Sequence, residues 1–206
     1  MLKIWGRTNS TNVKKALWAA EEVGVPYENI PAGGAYGIVA DPSYRVMNPN
    51  GLVPTLEDND LVLWESNTIV RYLAAQYGQS TLYIDDAAKR AKAERWMDWA
   101  TSTLAGPFRD LFWNGVRMSA EERDHAAMEK GLLACRKLFA IVDTALTLQP
   151  YLSGSKFGIG DIPVGCFAYA WFEMAIGRPH HPHLEAWYER LKERPAYQKT
   201  VMIPLT

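Results

Sequence analysis

Three short stretches carry side chains able to do chemistry. Arg7-Thr8-Asn9-Ser10-Thr11-Asn12 joins a short strand pattern to the first helical pattern. Small hydroxyl and amide residues there can simply cap a helix. They can also hold an anion or a thiolate, because free N–H groups and the helix dipole favour negative charge at a helix start. Val53-Pro54 opens a strand pattern. Proline cannot donate to a sheet ladder, so the pair marks an edge or a special turn. A cis bond would turn the Val53 N–H and C=O outward, where an extended peptide can pair with them. Glu65-Ser66 opens a later helix. Ser66 can be its N-cap; as a site, the Ser66 hydroxyl and the helix start hold a carboxylate while Glu65 pairs with an ammonium. An α-amino acid end carries both groups.

Other features exclude alternatives. His180-His181-Pro182-His183 invites a metal, but Pro182 breaks helical spacing, so a solvated loop entering the last helix is expected and no metal. Gly33, Gly34 and Gly37 lack the Gly-Lys-Ser/Thr of a phosphate loop. No Cys-x-x-Cys stands at the first helix, so any reactive thiol there must come from a ligand. Cys135 and Cys166 lie in apolar helical stretches and read as buried, reduced thiols suited to a reducing compartment.

The elements that must position these stretches follow from periodicity. Residues 2–5 alternate as a strand. Val13, Ala16, Leu17, Ala20 and Val23 recur at helical spacing, with Gly24 and Pro26 as the stop. Tyr27–Ile30 reads as a strand, residues 43–47 as a short helix, and 53–57 with 61–64 as a hairpin. Ser66 then caps a helix ending at Gly78. This β-α-β-α-β-β-α order builds a mixed sheet with helices on both sides. Beyond Gly78 strand signals vanish. Ala91, Trp96, Trp99, Leu104 and Phe108 form one apolar face, and Met128, Leu132, Cys135, Phe139, Val142 and Leu146 another. Residues 161–176 are apolar almost all round, which places that helix at the centre of a bundle.

With 22 basic and 23 acidic side chains, the chain has no positive excess for nucleic acid. The residues at 1–5 do not read as a signal peptide, and no apolar run reaches membrane-spanning length. A soluble, cytoplasmic protein is expected, with no membrane partner.

Asn48-Pro49-Asn50-Gly51-Leu52-Val53-Pro54-Thr55-Leu56, followed by Leu63-Trp64-Glu65-Ser66-Asn67-Thr68-Ile69-Val70-Arg71-Tyr72-Leu73, resembles the glutathione-binding half of a glutathione S-transferase. Gly158-Ile159-Gly160-Asp161 resembles that family's capping motif, with Gly158 where its members usually have the hydroxyl of Ser or Thr, and Arg194-Pro195-Ala196-Tyr197 its C-terminal segment. The similarity runs along essentially the whole chain.

The resemblance implies an α/β plus all-α fold: a thioredoxin-like domain with a four-stranded mixed sheet at residues 1–78, a linker at 79–86, and a helical bundle at 87–206. Val53, beside Pro54, would bind the cysteinyl backbone of glutathione, and Glu65 and Ser66 its γ-glutamyl end. Ser10 matches the hydroxyl of serine-type classes and Asn12 an asparagine near the sulfur in some bacterial classes; Thr11 is a third candidate. The loop holds no tyrosine. Leu52 stands where many relatives carry a basic residue for the glycine carboxylate; either glutathione affinity is weakened by that absence, or another basic side chain such as Lys14 substitutes. Leu104, Phe108, Phe112 and Trp113 would line an electrophile pocket or, alternatively, belong to ordinary bundle core. A homodimer is implied, with the first domain of one subunit against the second of the other.

The activity implied is conjugation of the glutathione thiolate to small apolar electrophiles, in detoxification. Glutathione-dependent disulfide or peroxide reduction and a non-catalytic glutathione-binding scaffold are the alternatives. A free thiol of pKa about 8.5 is only a few per cent ionised at neutral pH. Lowering that value by about two units needs about 2.7 kcal/mol. One hydroxyl donor to the anion, about 1.5–3 kcal/mol, and a helix start supply it without a general base.

Overall fold

β1 (Leu2–Trp5) buries Leu2 and Ile4 and leaves Lys3 and Trp5 half-exposed, the alternation of a strand with one packed face. In this computed structural model, which describes all 206 residues, the chain divides into two units. The first comprises residues 1–84 and 196–203, the second residues 85–195 and 204–206.

In the first unit, α1 (Thr11–Val23) leads to β2 (Tyr27–Ile30), which lies parallel to β1 with Leu2 opposite Tyr27. After the short α2 (Pro42–Met47), β3 (Thr55–Asp58) runs antiparallel to β1, and Ile4 faces Leu56. β4 (Leu61–Trp64) closes the hairpin, giving the order β2-β1-β3-β4. α3 (Ser66–Tyr77) packs against α1. Ile4, Leu56, Val13, Leu17, Ile69, Val70 and Leu73 form the core. The strand begins at Thr55 rather than at Val53, because Pro54 has no N–H to offer the ladder.

In the second unit, α4 (Ala87–Trp99) passes through a π-helical turn into α5 (Ala105–Phe112), and a second such turn follows at Trp113–Arg117. Pro107 has no N–H for the carbonyl four residues back, and the wider turn directly precedes it. The buried face of this helix carries Ala93, Trp96, Met97, Ala100 and Leu104; Trp99 is half-buried, and Ala91, placed on that face by periodicity, is exposed. α6 (His125–Leu146) buries Cys135, Phe139, Val142 and Leu146. α7 (Asp161–Glu173) is buried at every position from Asp161 to Trp171, as a helix apolar all round must be. α8 (Pro182–Lys192) completes this unit.

α9 (Pro195–Thr200) belongs mostly to the first unit. The Tyr197 ring lies 4.6 Å from that of Trp18, and Lys14 Nζ donates to the Val201 carbonyl at 2.9 Å. No helix is long and apolar enough to cross a membrane.

Candidate functional site

The three chemically interesting stretches converge within the first unit. A Cβ built on Gly6, in the loop after β1, would sit 3.3 Å from Val53 Cβ, so residue 53 lies directly against that loop. Ser66 Oγ is 3.4 Å from Asn12 Oδ1, so the starts of α1 and α3 meet.

Ser10 takes the N-cap position of α1 in extended conformation, but its side chain caps nothing. Its main chain is engaged: the N–H donates to Arg7 O at 3.1 Å, and its carbonyl accepts from Lys14 N at 2.9 Å. The hydroxyl of this nearly buried residue is left unspent by the helix. Thr11 and Asn12 open the first turn. Asn12 is exposed, and its Oδ1 also accepts from Lys15 Nζ at 2.9 Å.

The Val53–Pro54 bond is cis. Ahead of it, the Leu52 carbonyl accepts from Tyr44 Oη at 2.7 Å and from Asn48 Nδ2 at 2.9 Å. The same two side chains reach Thr55 Oγ1 at 2.9 and 3.1 Å. Tyr44 and Asn48 are buried, and burial raises the Tyr44 hydroxyl above its ordinary range. This clamp fixes both neighbours of Val53–Pro54, while the N–H and C=O of Val53 take no main-chain partner. Sequence reasoning missed the clamp. Asn48 stood in the signature quoted above without a role, and Tyr44 gave no signal beyond its place in a short helix.

Glu65, rather than Ser66, is the N-cap of α3; Ser66 is the first helical residue and is buried. The Glu65 side chain makes no capping bond and is exposed, and its backbone sits at φ 71°, ψ 109°. A non-glycine residue in this region is strained, a condition that clusters at functional positions. Asp58 accepts hydrogen bonds from Tyr72 Oη at 2.6 Å and from Tyr77 Oη, which ties the β3–β4 hairpin to α3.

Lys14 does not stand in for a basic residue at Leu52. It is buried, and its ammonium is committed to the Val201 carbonyl, whereas Leu52 is 65% exposed.

In the second unit, Leu104 and Phe108 are buried, and the Phe108 ring packs on Phe167 at 5.0 Å and on Phe112 at 6.2 Å. Phe112 and Trp113 keep exposed ring surface, with the Arg117 guanidinium 5.3 Å above each. The capping motif centres on Asp161, which is fully buried. Its carboxylate accepts from Leu152 N at 2.7 Å, Trp187 Nε1 at 2.9 Å, Gly158 N at 3.1 Å and Ser153 N at 3.2 Å. Burial pushes this carboxyl up, against the downward pull of those donors. Ser153 Oγ accepts from Gly160 N at 3.0 Å, providing from a neighbouring loop the hydroxyl that Gly158 lacks. A Cβ on Gly160 would fall 2.6 Å from the Ala93 carbonyl, so only glycine lets α7 start this close to α4.

Both cysteines are free and buried, and burial with Asp110 nearby pushes the Cys135 thiol up to about 12. His180 Nδ1 lies 3.0 Å from Glu185 Oε1, and the His183 N–H donates to Asp143 at the start of α8. These histidines serve that loop and helix start.

Residues 1–75 match the family model for the glutathione S-transferase N-terminal domain, and residues 96–195 that for the C-terminal domain. Glutathione S-transferase GstB of Escherichia coli is 50% identical over the full length of both chains. Glutathione S-transferase 3 of Zea mays is 31% identical, covering 99% of this chain and 95% of that protein. Among solved structures, the theta class glutathione S-transferase of Xanthomonas axonopodis pv. citri with glutathione bound is 60% identical. It superposes with a TM-score of 0.97 over 100% of this chain and 99% of that one.

Proposed function

This chain belongs to the glutathione S-transferase family and is a glutathione transferase, and from that premise we propose how its own residues divide the work. Val53 pairs through its main chain with the cysteinyl residue of glutathione, beside Pro54. Glu65 takes the γ-glutamyl ammonium, and Ser66 with the start of α3 takes the adjoining carboxylate. Ser10 donates to the thiolate, with Asn12 and Thr11 flanking it. The observation that carries this reading is that the fold leaves these groups unspent. The Ser10 hydroxyl caps nothing, the Val53 amide and carbonyl pair with no strand, and the Glu65 carboxylate stands free of its helix.

The mechanism needs no general base. The bound thiol loses its proton because a hydroxyl donor and the N–H groups of α1 stabilise the anion, and the thiolate attacks an electrophilic carbon. Glutathione is held by the first unit; in the helical unit the accessible rings of Phe112 and Trp113 offer apolar walls to the electrophile, while Leu104 and Phe108 are bundle core. The two free, buried cysteines fit a reducing compartment such as the cytoplasm.

Ser10→Ala is expected to lower kcat/KM for chlorodinitrobenzene about 10–100-fold, the worth of one hydrogen bond to an anion, with glutathione affinity changed less than about threefold. Unchanged turnover assigns the sulfur donor elsewhere. Turnover confined to disulfides or peroxides supports the reductase reading instead.

A homodimer completes the proposal. The edge strand β4 exposes Leu61, Val62 and Trp64, while Trp96, Trp99, Ile141, Ala145 and Leu148 line an apolar groove of about 560 Å³ between α4 and α6. Apolar surface of this kind marks interaction sites. Ile141→Glu with Leu148→Glu is expected to yield a monomer by light scattering; a dimer of unaltered affinity would place the interface elsewhere.

A further inference from the structure

Lys15 is among the largest fully buried side chains, at 2% exposure, although lysine is almost never fully buried without a partner. Such burial is costly unless the charge is hydrogen-bonded. Its Nζ donates to Asn12 Oδ1 at 2.9 Å, and the same oxygen faces Ser66 Oγ at 3.4 Å. The three-residue spacing puts Asn12 and Lys15 on one face of α1. An ammonium has three donors and no acceptor. It therefore dictates which end of the Asn12 carboxamide it meets: the oxygen turns inward and Nδ2, with its two N–H donors, turns away. Without that ammonium the amide can rotate and present its oxygen instead, which would repel an anion.

We infer that Lys15 is a positioning residue for the transferase reaction: by fixing the Asn12 carboxamide it presents the Nδ2 donors to the glutathione sulfur, and it releases the Ser66 hydroxyl to the γ-glutamyl carboxylate. This rests on the proposed placement of Asn12 beside the sulfur. The Asn12 oxygen has one strong donor in Lys15, so when the ligand carboxylate arrives Ser66 Oγ can leave Asn12 without stranding it. The buried cation thus serves both ends of the ligand while touching neither.

The test is ultraviolet titration of the thiolate in the enzyme–glutathione complex, with steady-state kinetics. Lys15→Met matches the length of the aliphatic stem and leaves no charge unpaired. It is expected to raise the bound thiol pKa by about one unit, the scale of one hydrogen bond to an anion. kcat below that pKa falls about tenfold with it. Lys15→Arg, which keeps a donor-only cation, is expected to hold the pKa near that of the parent enzyme; a Met-like shift in Arg would overturn the orienting role. In an Asn12→Ala background, Lys15→Met is expected to add nothing further, because it acts through Asn12. An unchanged pKa in Lys15→Met, when Asn12→Ala raises it, overturns the role of Lys15 alone. An unchanged pKa in Asn12→Ala overturns the placement of Asn12 and this inference together. An additive effect in the double variant shows that Lys15 acts as a bare charge, which also refutes the orienting role.

Discussion

Asp161→Ala is expected to destabilise the protein by about 3–5 kcal/mol, because it strands three main-chain N–H groups and one indole N–H in the interior. Leu152, Ser153, Gly158 and Trp187 all donate to this one carboxylate, which is itself fully buried. Each orphaned buried donor costs about 1–3 kcal/mol, partly offset because the carboxylate no longer has to be desolvated. For a chain of this size the melting temperature should fall by about 8–15 °C. Asp161→Asn should lie between, since its carboxamide keeps one acceptor oxygen but turns an N–H donor toward groups that also donate. Differential scanning calorimetry reads both. A loss below about 1 kcal/mol in the alanine variant would mean that the surrounding loop finds other acceptors.

Glu65→Ala is expected to weaken glutathione binding about 10–100-fold while changing kcat at saturation far less, because the lost contact is with the ammonium and not with the reacting sulfur. Isothermal titration calorimetry and retention on immobilised glutathione measure it. Glu65→Gly separates binding from fold. Position 65 holds a non-glycine residue at φ 71°, a conformation costing of order 1–3 kcal/mol that glycine adopts freely. Some of that gain returns as unfolded-chain entropy, about 0.4–1 kcal/mol. The glycine variant should therefore melt no lower than the parent while binding glutathione as poorly as the alanine variant. If Glu65→Gly melts lower, the carboxylate supports the fold itself, and the strain has no functional explanation.

Much of this was readable in the residues. The alternating run at 2–5 and the short strand-like runs at 27–30 and 61–64 are strands, and the helices of the first unit end where Gly24 and Gly78 stand. The Val53-Pro54 and Glu65-Ser66 pairs were legible because only particular backbone chemistry fits those positions. What escaped is long-range or charged. Lys15 drew no reading from the sequence, because its burial depends on a partner that helix periodicity does not show. Lys14 escaped similarly: its partner carbonyl is Val201, far along the chain. Ser153 could not be read as replacing the hydroxyl missing at Gly158, since the two meet only when their loops pack. The face drawn through Ala91 failed only at its start: Trp96, Leu104 and Phe108 are buried as read, Trp99 is half-buried, and Ala93 rather than Ala91 continues the stripe.

Residues 196–203 close the first unit, stacking Tyr197 on Trp18 and giving Lys14 its carbonyl. On a ribosome this ordering has a consequence. The sheet-bearing half is translated first yet finished last, for its inner lysine and tryptophan wait until every helix of the other unit has left the exit tunnel. Separating the halves at the gene level would divide one core between two products.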